Sequence, residues 1–403
     1  MERKALDRLE AGLPVAWYSD PSHYERELNA FWYAGWVAVA REEEIAKPGD
    51  WRVVRIGTQS LIVLRSEDRQ VKAFHNTCRH RGSILCTEEQ GNFARQRIVC
   101  PYHAWTYDLA GRLVATPRRM ETPDFDLQRF PLYEVAVKTW GGFVFLCLER
   151  TPPAFEPPTR YARYGLDNLR IGKRIVTDVH ANWKLLAENF SECFHCPPVH
   201  PELCRVVTAY QEAGAWGLRS KKEEKSEYRR GAATLTLDGS SRLEPFAGLN
   251  EEEKQTLYIP EMVLPSLFLN IHPDYVNSHL MFPTGPQSVR IVYDWLFEPR
   301  HLPLAEADLQ HYVTEHGWGA SWARGVLPMK TRAFMNLAMI SALNRPHELE
   351  IHLRAAIRNG MTKREIKEVF LHVAVYCGAP AALDSFRIAK QIFAEKKAAP
   401  RRR

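Results

Sequence analysis

The stretch from Asn76 to Asp108 decides the fold: Asn76–Cys86 reads NTCRHRGSILC and Cys100–Asp108 reads CPYHAWTYD. Each half offers one thiol and one imidazole, Cys78 with His80 and Cys100 with His103. Gly82 and Pro101 mark both as tight turns. Around them run short β-rich segments bounded by turn residues: WRVVRIG, SLIVLRS, VKAFHN, RLVATP and YEVAVKTWGGFVFLCLE. Residues 51–152 therefore read as a small all-β module whose loops carry four metal-type ligands.

Which metal the four ligands suit follows from their order. Zinc fingers usually pair Cys with Cys and then His with His. Here the order is Cys-His, then Cys-His. Two unrelated polar loops would leave the match of CRHRG with CPYHAWTYD unexplained. Two thiolates on one iron and two imidazoles on the other is the ligation of a Rieske [2Fe–2S] cluster, whose potential lies above that of an all-cysteine cluster. One such cluster per chain, on Cys78, His80, Cys100 and His103, is the expectation.

Working outward, 403 residues suffice for two or three domains, and 45% hydrophobic with 25% charged residues is ordinary globular composition. The formal charge of +6 owes part of its value to the terminal KKAAPRRR, and no groove-like basic and aromatic pattern suggests nucleic acid. The run RSKKEEKSEYRR (Arg219–Arg230) reads as a solvated loop. No signal peptide and no apolar run of ~20 residues is visible, so no membrane partner is expected; Gly141–Leu148 reads as a buried strand. Eight cysteines, two of them in metal-like spacing, argue against a disulfide scaffold, and the cytoplasm is the simplest location.

Four regions differ in texture. Residues 1–50 read as an N-terminal helical segment packing on the catalytic domain, with an aromatic patch at Phe31–Trp36. The β module, 51–152, ends at a Pro-rich joint, PPAFEPPT. Residues 153–305 mix helix and strand, with strands at SLFLNIH, SHLMFPTG and VRIVYDWLFEP. Residues 309–396 are helical by their three- and four-residue apolar spacing. Thr362 and Glu365 form a predicted capping box ahead of one of these helices. The fold class expected is thus α+β multidomain: an all-β domain, an α+β domain with an antiparallel sheet, and an all-α C-terminal domain.

A second motif, ANWKLLAENFSECFHCPPVHPEL, carries Glu192, His195 and His200. On a helix Glu192 and His195 share a face, and Pro197–Pro198 would break that helix so that His200 turns back towards the same metal. Two histidines with a carboxylate and open positions suit a non-haem Fe(II) that binds O2. A pair of polar histidines at a helix end is the plainer alternative. Asn182, Trp183 and Lys184 lead in, and Asn189 sits on the same helix, for packing or for the site.

With both motifs in this order, residues 1–300 resemble the alpha subunit of Rieske non-haem iron ring-hydroxylating oxygenases. The resemblance implies one mononuclear Fe(2+) per chain on His195 and His200, with Glu192 bridging to the cluster histidine of a neighbouring subunit. It implies an NAD(P)H-dependent reductase or ferredoxin as electron donor, O2 and a small organic substrate, and a homotrimer. The family more often has aspartate at position 192; glutamate resembles the branch acting on quaternary amines, so amine or ether demethylation stands beside aromatic-ring hydroxylation. The family's third iron ligand is an aspartate on a late helix, which this sequence does not show. Asp308 follows Trp295 too closely and Asp384 lies in another helical context, so residues 153–305 are expected to be a truncated oxygenase catalytic domain with an incomplete mononuclear site.

From Leu309 the chain resembles carboxymuconolactone decarboxylase, through HYVTEHGWGASW, MKTRAFMNLAMISALNRPHELEIHLRAAIRNGMT and IKEVFLHVAVYCGAPAALDSFRIAKQIF. That resemblance implies a helical, oligomerising fold and cofactor-free decarboxylation. Glu348 and His352 stand one helical turn apart, as an acid/base pair or a surface ion pair. Cys377 matches the family's YCG segment; Pro380 stands where a Cys-x-x-Cys would need its second thiol, and Ala320 stands where many relatives have glutamate. A natural fusion and a chimera both fit the join. Three functions compete: a terminal oxygenase, a decarboxylase with a vestigial iron half, and a non-enzymatic electron carrier.

Overall fold

The structure, a computed structural model, describes residues 11–398 except 118–121, 123, 193–194, 208–209, 211–227, 237–238, 257, 304–326 and 359. The chain divides into two units, Met1–Glu306 and Ala307–Arg403. In the first, the β module holds ten strands. They are β1 (Val37–Arg41), β2 (Asp50–Ile56), β3 (Gln59–Arg65), β4 (Val71–His75), β5 (Gln90–Asn92), β6 (Arg97–Val99), β7 (Thr106–Asp108), β8 (Leu113–Ala115), β9 (Glu134–Trp140) and β10 (Phe143–Cys147). Seven form one sheet in the order β1-β10-β9-β4-β3-β2-β5, and β6-β7-β8 form a separate small one. The run RIVCPYHAWTYD is two strands, β6 and β7, with the second Cys/His turn between them.

The N-terminal segment departs from an all-helical reading. A helical turn at Val15–Tyr18 and α1 (Pro21–Glu27), capped by Asp20, are followed by a π-helical turn over Leu28–Tyr33. Val37–Arg41 (VAVAR), by contrast, is a strand buried along its whole length, antiparallel to β10. A strand covered on both faces has no alternating pattern to betray it. Arg41 is buried at its end and donates to the carbonyls of Gly141, Leu166 and Leu169. A Cβ on Gly142 would lie 2.6 Å from that guanidinium, so glycine is required there.

The α+β part of the first unit is a five-stranded antiparallel sheet in the order β11-β15-β14-β13-β12. Its strands are β11 (Arg170–Val179), β12 (Ile259–Val263), β13 (Leu267–Ile271), β14 (Val276–Gly285) and β15 (Ser288–Phe297). One face, with Leu267, Leu269, Ile271, Leu280 and Leu296, packs with Ala38, Phe143 and Phe145 of the β module. The other, with Phe268, Met281 and Val289, packs under α2 (Trp183–Ser191). Across this seam Arg174 forks onto the fully buried Asp294 at 2.7 Å through both Nε and Nη2 and also pairs with Glu44, which holds Arg52 at 2.7 Å.

A second buried pair straps the N-terminal segment to α2. Lys184 Nζ lies 2.5 Å from Glu27 Oε1 and donates to the Trp17 carbonyl at 2.8 Å; Trp183 Nε1 donates to Glu27 Oε2 at 2.9 Å. In the second unit, α5 (Met329–Ala342), α6 (Pro346–Arg358), α7 (Lys363–Cys377) and α8 (Ala379–Ala398) enclose Leu337, Leu349, Leu353, Ile366, Phe370 and Ile392. The capping box is formed: Glu365 N donates to Thr362 Oγ1 and Thr362 N to Glu365 Oε2. Lys330 and this cap hold the Glu365 carboxyl down at about 2.

Removing one partner of a buried ion pair strands the other without solvent. Lys184→Met is expected to lower the unfolding free energy of the first unit by about 3 kcal/mol, while Lys184→Met with Glu27→Leu recovers most of it. Urea unfolding followed by tryptophan fluorescence measures both; equal losses in the single and double variants would count against the strap.

Candidate metal centres

The two Cys/His turns are built alike. In each, the cysteine carbonyl accepts from the amide four residues on, Gly82 at 3.0 Å and Ala104 at 3.0 Å. Both of those residues have left-handed backbone, φ +70° at Gly82 and φ +58° at Ala104. Cys78 N donates to Ser83 O and Cys100 N to Trp105 O, each at 2.8 Å. The turns thereby send the thiols inward and the imidazoles outward. Cys78 and Cys100 lie in the core with Ile62, Phe74, Ile98 and Trp105. His80 is exposed and stacks on Trp105 at 4.7 Å between centroids, and 4.7 Å likewise separates it from His103.

The donor set fits a two-iron cluster. His103 Nδ1 is buried without a hydrogen-bond partner, which a ligated nitrogen would not be. Two thiols on the buried side and two imidazoles 4.7 Å apart suit two irons with two protein ligands each. Tyr107 is an addition that the sequence did not single out, although it stands inside the second motif. Its hydroxyl lies 3.3 Å from Cys78 Sγ and accepts from Arg79 N at 3.1 Å.

The second motif is arranged differently from one long helix. Asn182 caps α2, which ends at Ser191, and Glu192 follows in extended conformation at φ −138°, ψ 165°. Prolines begin two further short helices, α3 (Cys196–Val199) and α4 (Pro201–Val206), where their missing N–H costs nothing. Glu192 and His195 therefore do not share a helix face, yet they meet: Glu192 Oε1 lies 2.7 Å from His195 Nδ1. That contact leaves His195 Nε2 as the ring nitrogen that Glu192 does not engage, 4.0 Å from Cys196 Sγ. The His200 ring lies 5.5 Å from it at 80°. Asn189 is exposed on α2. Asp308 lies outside the described residues.

The sheet face under the end of α2 is aromatic and partly polar. Phe190, at the end of α2, meets Phe268 at 4.7 Å and His279 at 6.0 Å. His279 stacks on Tyr293 at 4.2 Å, and Tyr293 meets Trp295 edge-on at 4.2 Å. Cys196 packs with Tyr210, Tyr228 and Tyr258. Tyr258 donates to Asn270 Oδ1 at 2.9 Å and stacks on His272. Burial pushes His272 down to about 3 and His279 down to about 4, so both imidazoles are neutral at pH 7.

In the helical unit Glu348 and His352 stand one turn apart on α6. His352 is half-buried, and its Nδ1 lies 3.4 Å from Asn336 Nδ2 of α5, a neighbour that the sequence did not point to. Burial lowers the His352 pKa, with Glu348 opposing. Cys377 is an exposed thiol closing α7. HYVTEHGWGASW lies outside the described residues.

Comparison with known proteins bears on all three regions. Residues 35–131 match the Rieske [2Fe-2S] domain family, residues 166–319 the ring hydroxylating alpha subunit (catalytic domain), and residues 307–391 the carboxymuconolactone decarboxylase family. The glycine betaine monooxygenase oxygenase subunit of Chromohalobacter salexigens is 32% identical over 318 residues, 70% of this chain and 70% of that one. The carnitine monooxygenase oxygenase subunit of Acinetobacter baumannii is 31% identical over 47% of this chain and 52% of its own. A Pseudomonas aeruginosa glycine betaine monooxygenase subunit is 37% identical, and the chain spans 47% of its length. Among solved structures, a quaternary ammonium Rieske monooxygenase shares the fold at TM-score 0.60 with 23% identity, covering 75% of this chain and 80% of that one. Naphthalene 1,2-dioxygenase from Rhodococcus does so at 0.56 with 22% identity, covering 73% and 76%. The Rieske and ring-hydroxylating regions imply a [2Fe–2S] cluster and a mononuclear iron.

A hydroxyl donating to a cluster thiolate stabilises the more negative, reduced state and raises the potential. Tyr107→Phe is expected to lower the cluster potential by roughly 50 mV, the one-electron equivalent of a hydrogen bond of about 1 kcal/mol. A redox titration followed by electron paramagnetic resonance reads the shift. An unchanged potential with an intact signal would show that the Tyr107 hydroxyl has no hold on the sulfur.

Proposed function

The chain belongs to the Rieske-type oxygenases, oxidoreductases that take electrons from a reductase or ferredoxin and use O2 on a small substrate, and we propose that this one demethylates a quaternary amine. The observation that carries the amine reading is the face of Phe190, Tyr293 and Trp295 beside the His195/His200 segment. Aromatic rings attract quaternary ammonium through their quadrupoles, and the neutral imidazoles of His272 and His279 add no opposing charge. Glutamate at position 192 and the similarity to betaine and carnitine monooxygenases support the same substrate class.

In this reading Cys78, His80, Cys100 and His103 hold the cluster, and His195 and His200 hold the iron. When bound, the cluster supplies single electrons and the iron a binding site for O2. Glu192 fixes the His195 ring by accepting from Nδ1, which sets the tautomer and the orientation of Nε2. Exposed His80 can be approached by the carboxylate of another copy, so a homotrimer with Glu192 reaching a neighbour's cluster imidazole follows from the family resemblance. Demethylation consumes O2, two electrons and two protons and returns one proton. One oxygen leaves with the methyl carbon as formaldehyde and the other as water; the carbon–nitrogen pair falls back to the nitrogen as the lone pair of a tertiary amine, and the hydroxyl proton of the hydroxylated methyl group is released. Asn189 carries no part of this reading beyond its place on α2.

For the helical unit we propose an acid/base pair: His352 protonates the carbon from which CO2 has departed, and Glu348 steadies the imidazolium. The half-buried setting of His352 against Asn336 is the supporting observation; Cys377 is a candidate substrate-side thiol.

Purified chain is expected to carry two acid-labile sulfides with the two irons of the cluster, a Rieske resonance after dithionite, and a third iron at less than full occupancy, as the incomplete ligand set of the mononuclear site requires. With a reductase, glycine betaine or carnitine should stimulate O2 uptake and release formaldehyde, and Glu192→Gln should slow this about 10- to 100-fold with the cluster signal intact. Uptake stimulated by aromatic acids but not by amines would sink the amine reading. Two irons to two sulfides would sink the oxygenase centre, and CO2 release by iron-free protein from a muconolactone-type acid would turn attention to Glu348 and His352.

A further inference from the structure

Two buried polar atoms on the sheet face beside the iron-ligand segment lack any partner among the described residues: Asn277 Nδ2 and His279 Nδ1. Both residues belong to β14 and, two apart, point to the same face. In register, Asn277 lies between Asn270 and Trp295, and His279 between Phe268 and Tyr293. The second motif reaches this face at Phe190 and at Cys196. Phe190 meets His279, and Cys196 packs with Tyr258, whose hydroxyl donates to Asn270, the cross-strand neighbour of Asn277.

The amide of Asn277 is oriented by its other end. His272 Nε2 lies 3.3 Å from Asn277 Oδ1, while Tyr228 occupies His272 Nδ1 at 2.9 Å, so Nδ2 is the end left over. An orphaned buried donor is costly, and native interiors rarely keep one without a use. The nearest surfaces to this pair are aromatic, Tyr293 and Trp295, and the His279 imidazole is neutral. A ligand that suits the whole face has a cationic, methylated end for the rings and an acceptor end for the Asn277 amide and for His279 in its Nδ1–H tautomer.

We propose that Asn277 and His279 are specificity-determining residues that donate, through Nδ2 and Nδ1–H, to the carboxylate of a zwitterionic quaternary amine whose ammonium end lies against Tyr293 and Trp295. This rests on the amine reading above and adds to it that the substrate is a betaine rather than an amino alcohol or a simple ammonium. The carboxylate interacts with these donors as a charged acceptor, the stronger kind of hydrogen bond.

The test is anaerobic calorimetric titration of the full chain with glycine betaine and, separately, with tetramethylammonium, which has the cation but no carboxylate. Native protein is expected to bind betaine the more tightly. His279→Phe keeps a ring against Tyr293 and loses the donor; it should weaken betaine about 10- to 100-fold and leave tetramethylammonium within about twofold. His279→Gln, which restores an N–H, should recover part of the betaine affinity, and Asn277→Ala, which removes the amide, should resemble His279→Phe. Unfolding midpoints and the cluster resonance report whether each variant is folded. Parallel loss of both ligands, or no loss of betaine, overturns the proposal and leaves the amine reading standing. Native protein that binds neither ligand overturns both.

Discussion

The constraint on which the first unit depends is the division of labour inside two matched turns: sulfur in, imidazole out. A left-handed residue four positions after each cysteine, Gly82 and Ala104, folds the chain back so tightly that the cysteine carbonyl is satisfied within the turn. The thiols then become part of the hydrophobic core with Ile98 and Trp105. The imidazoles cannot follow them and remain towards the surface, His80 laid on Trp105. The same geometry that stabilises the module thus sets which end of a cluster is insulated and which can be reached. Ala104 accepts a conformation that glycine would take with less strain, and two backbone hydrogen bonds, Ala104 N to Cys100 O and Cys100 N to Trp105 O, hold it there.

The rest of the first unit is organised by charges buried where two sheets meet. Arg174 reaches from β11 to Asp294 on β15 and to Glu44 beside the β module. Burial alone would raise the Asp294 carboxyl, and the guanidinium opposes this. Breaking this arrangement would leave Asp294 charged in an apolar seam, so the two sheets are held in one relation by the cost of separating them. The strap of Lys184 on Glu27 does the same for α2 at the other side. Helix α2 is therefore fixed at its start, and Glu192, just past its end, is extended. His195 and His200 are placed by the short helices α3 and α4, with prolines in their first turns, and by the carboxylate of Glu192 on His195.

Much of this was legible in the sequence where residue chemistry is local. The Cys/His turns, the capping box at Thr362 and the strands of β13 to β15 follow from short-range patterns and appear as read. Strand β1 was not legible, because VAVAR covered on both faces carries no period, and it lies beside a helical segment that does. Helical spacing puts Glu192 and His195 on one face, but Glu192 lies past the end of α2 in extended conformation, and the two touch across that helix end. Asn336 could not be linked to His352 from spacing alone, since sixteen residues and a turn separate them.

Asn277 and His279 show why the specificity of a site is harder to read than its metal. Metal ligands are few in kind and clustered in sequence, so their spacing carries information. A substrate face is built from single residues on several strands, and each looks like ordinary alternation when read along its own strand. Asn277 and His279 stand out only when their neighbours' hydrogen bonds are counted: Tyr228 satisfies His272, His272 satisfies one end of Asn277, and the chain of partners then stops. A polar network that ends on a donor in the interior is unfinished, and what completes it must be an acceptor small enough to share the face with Tyr293 and Trp295.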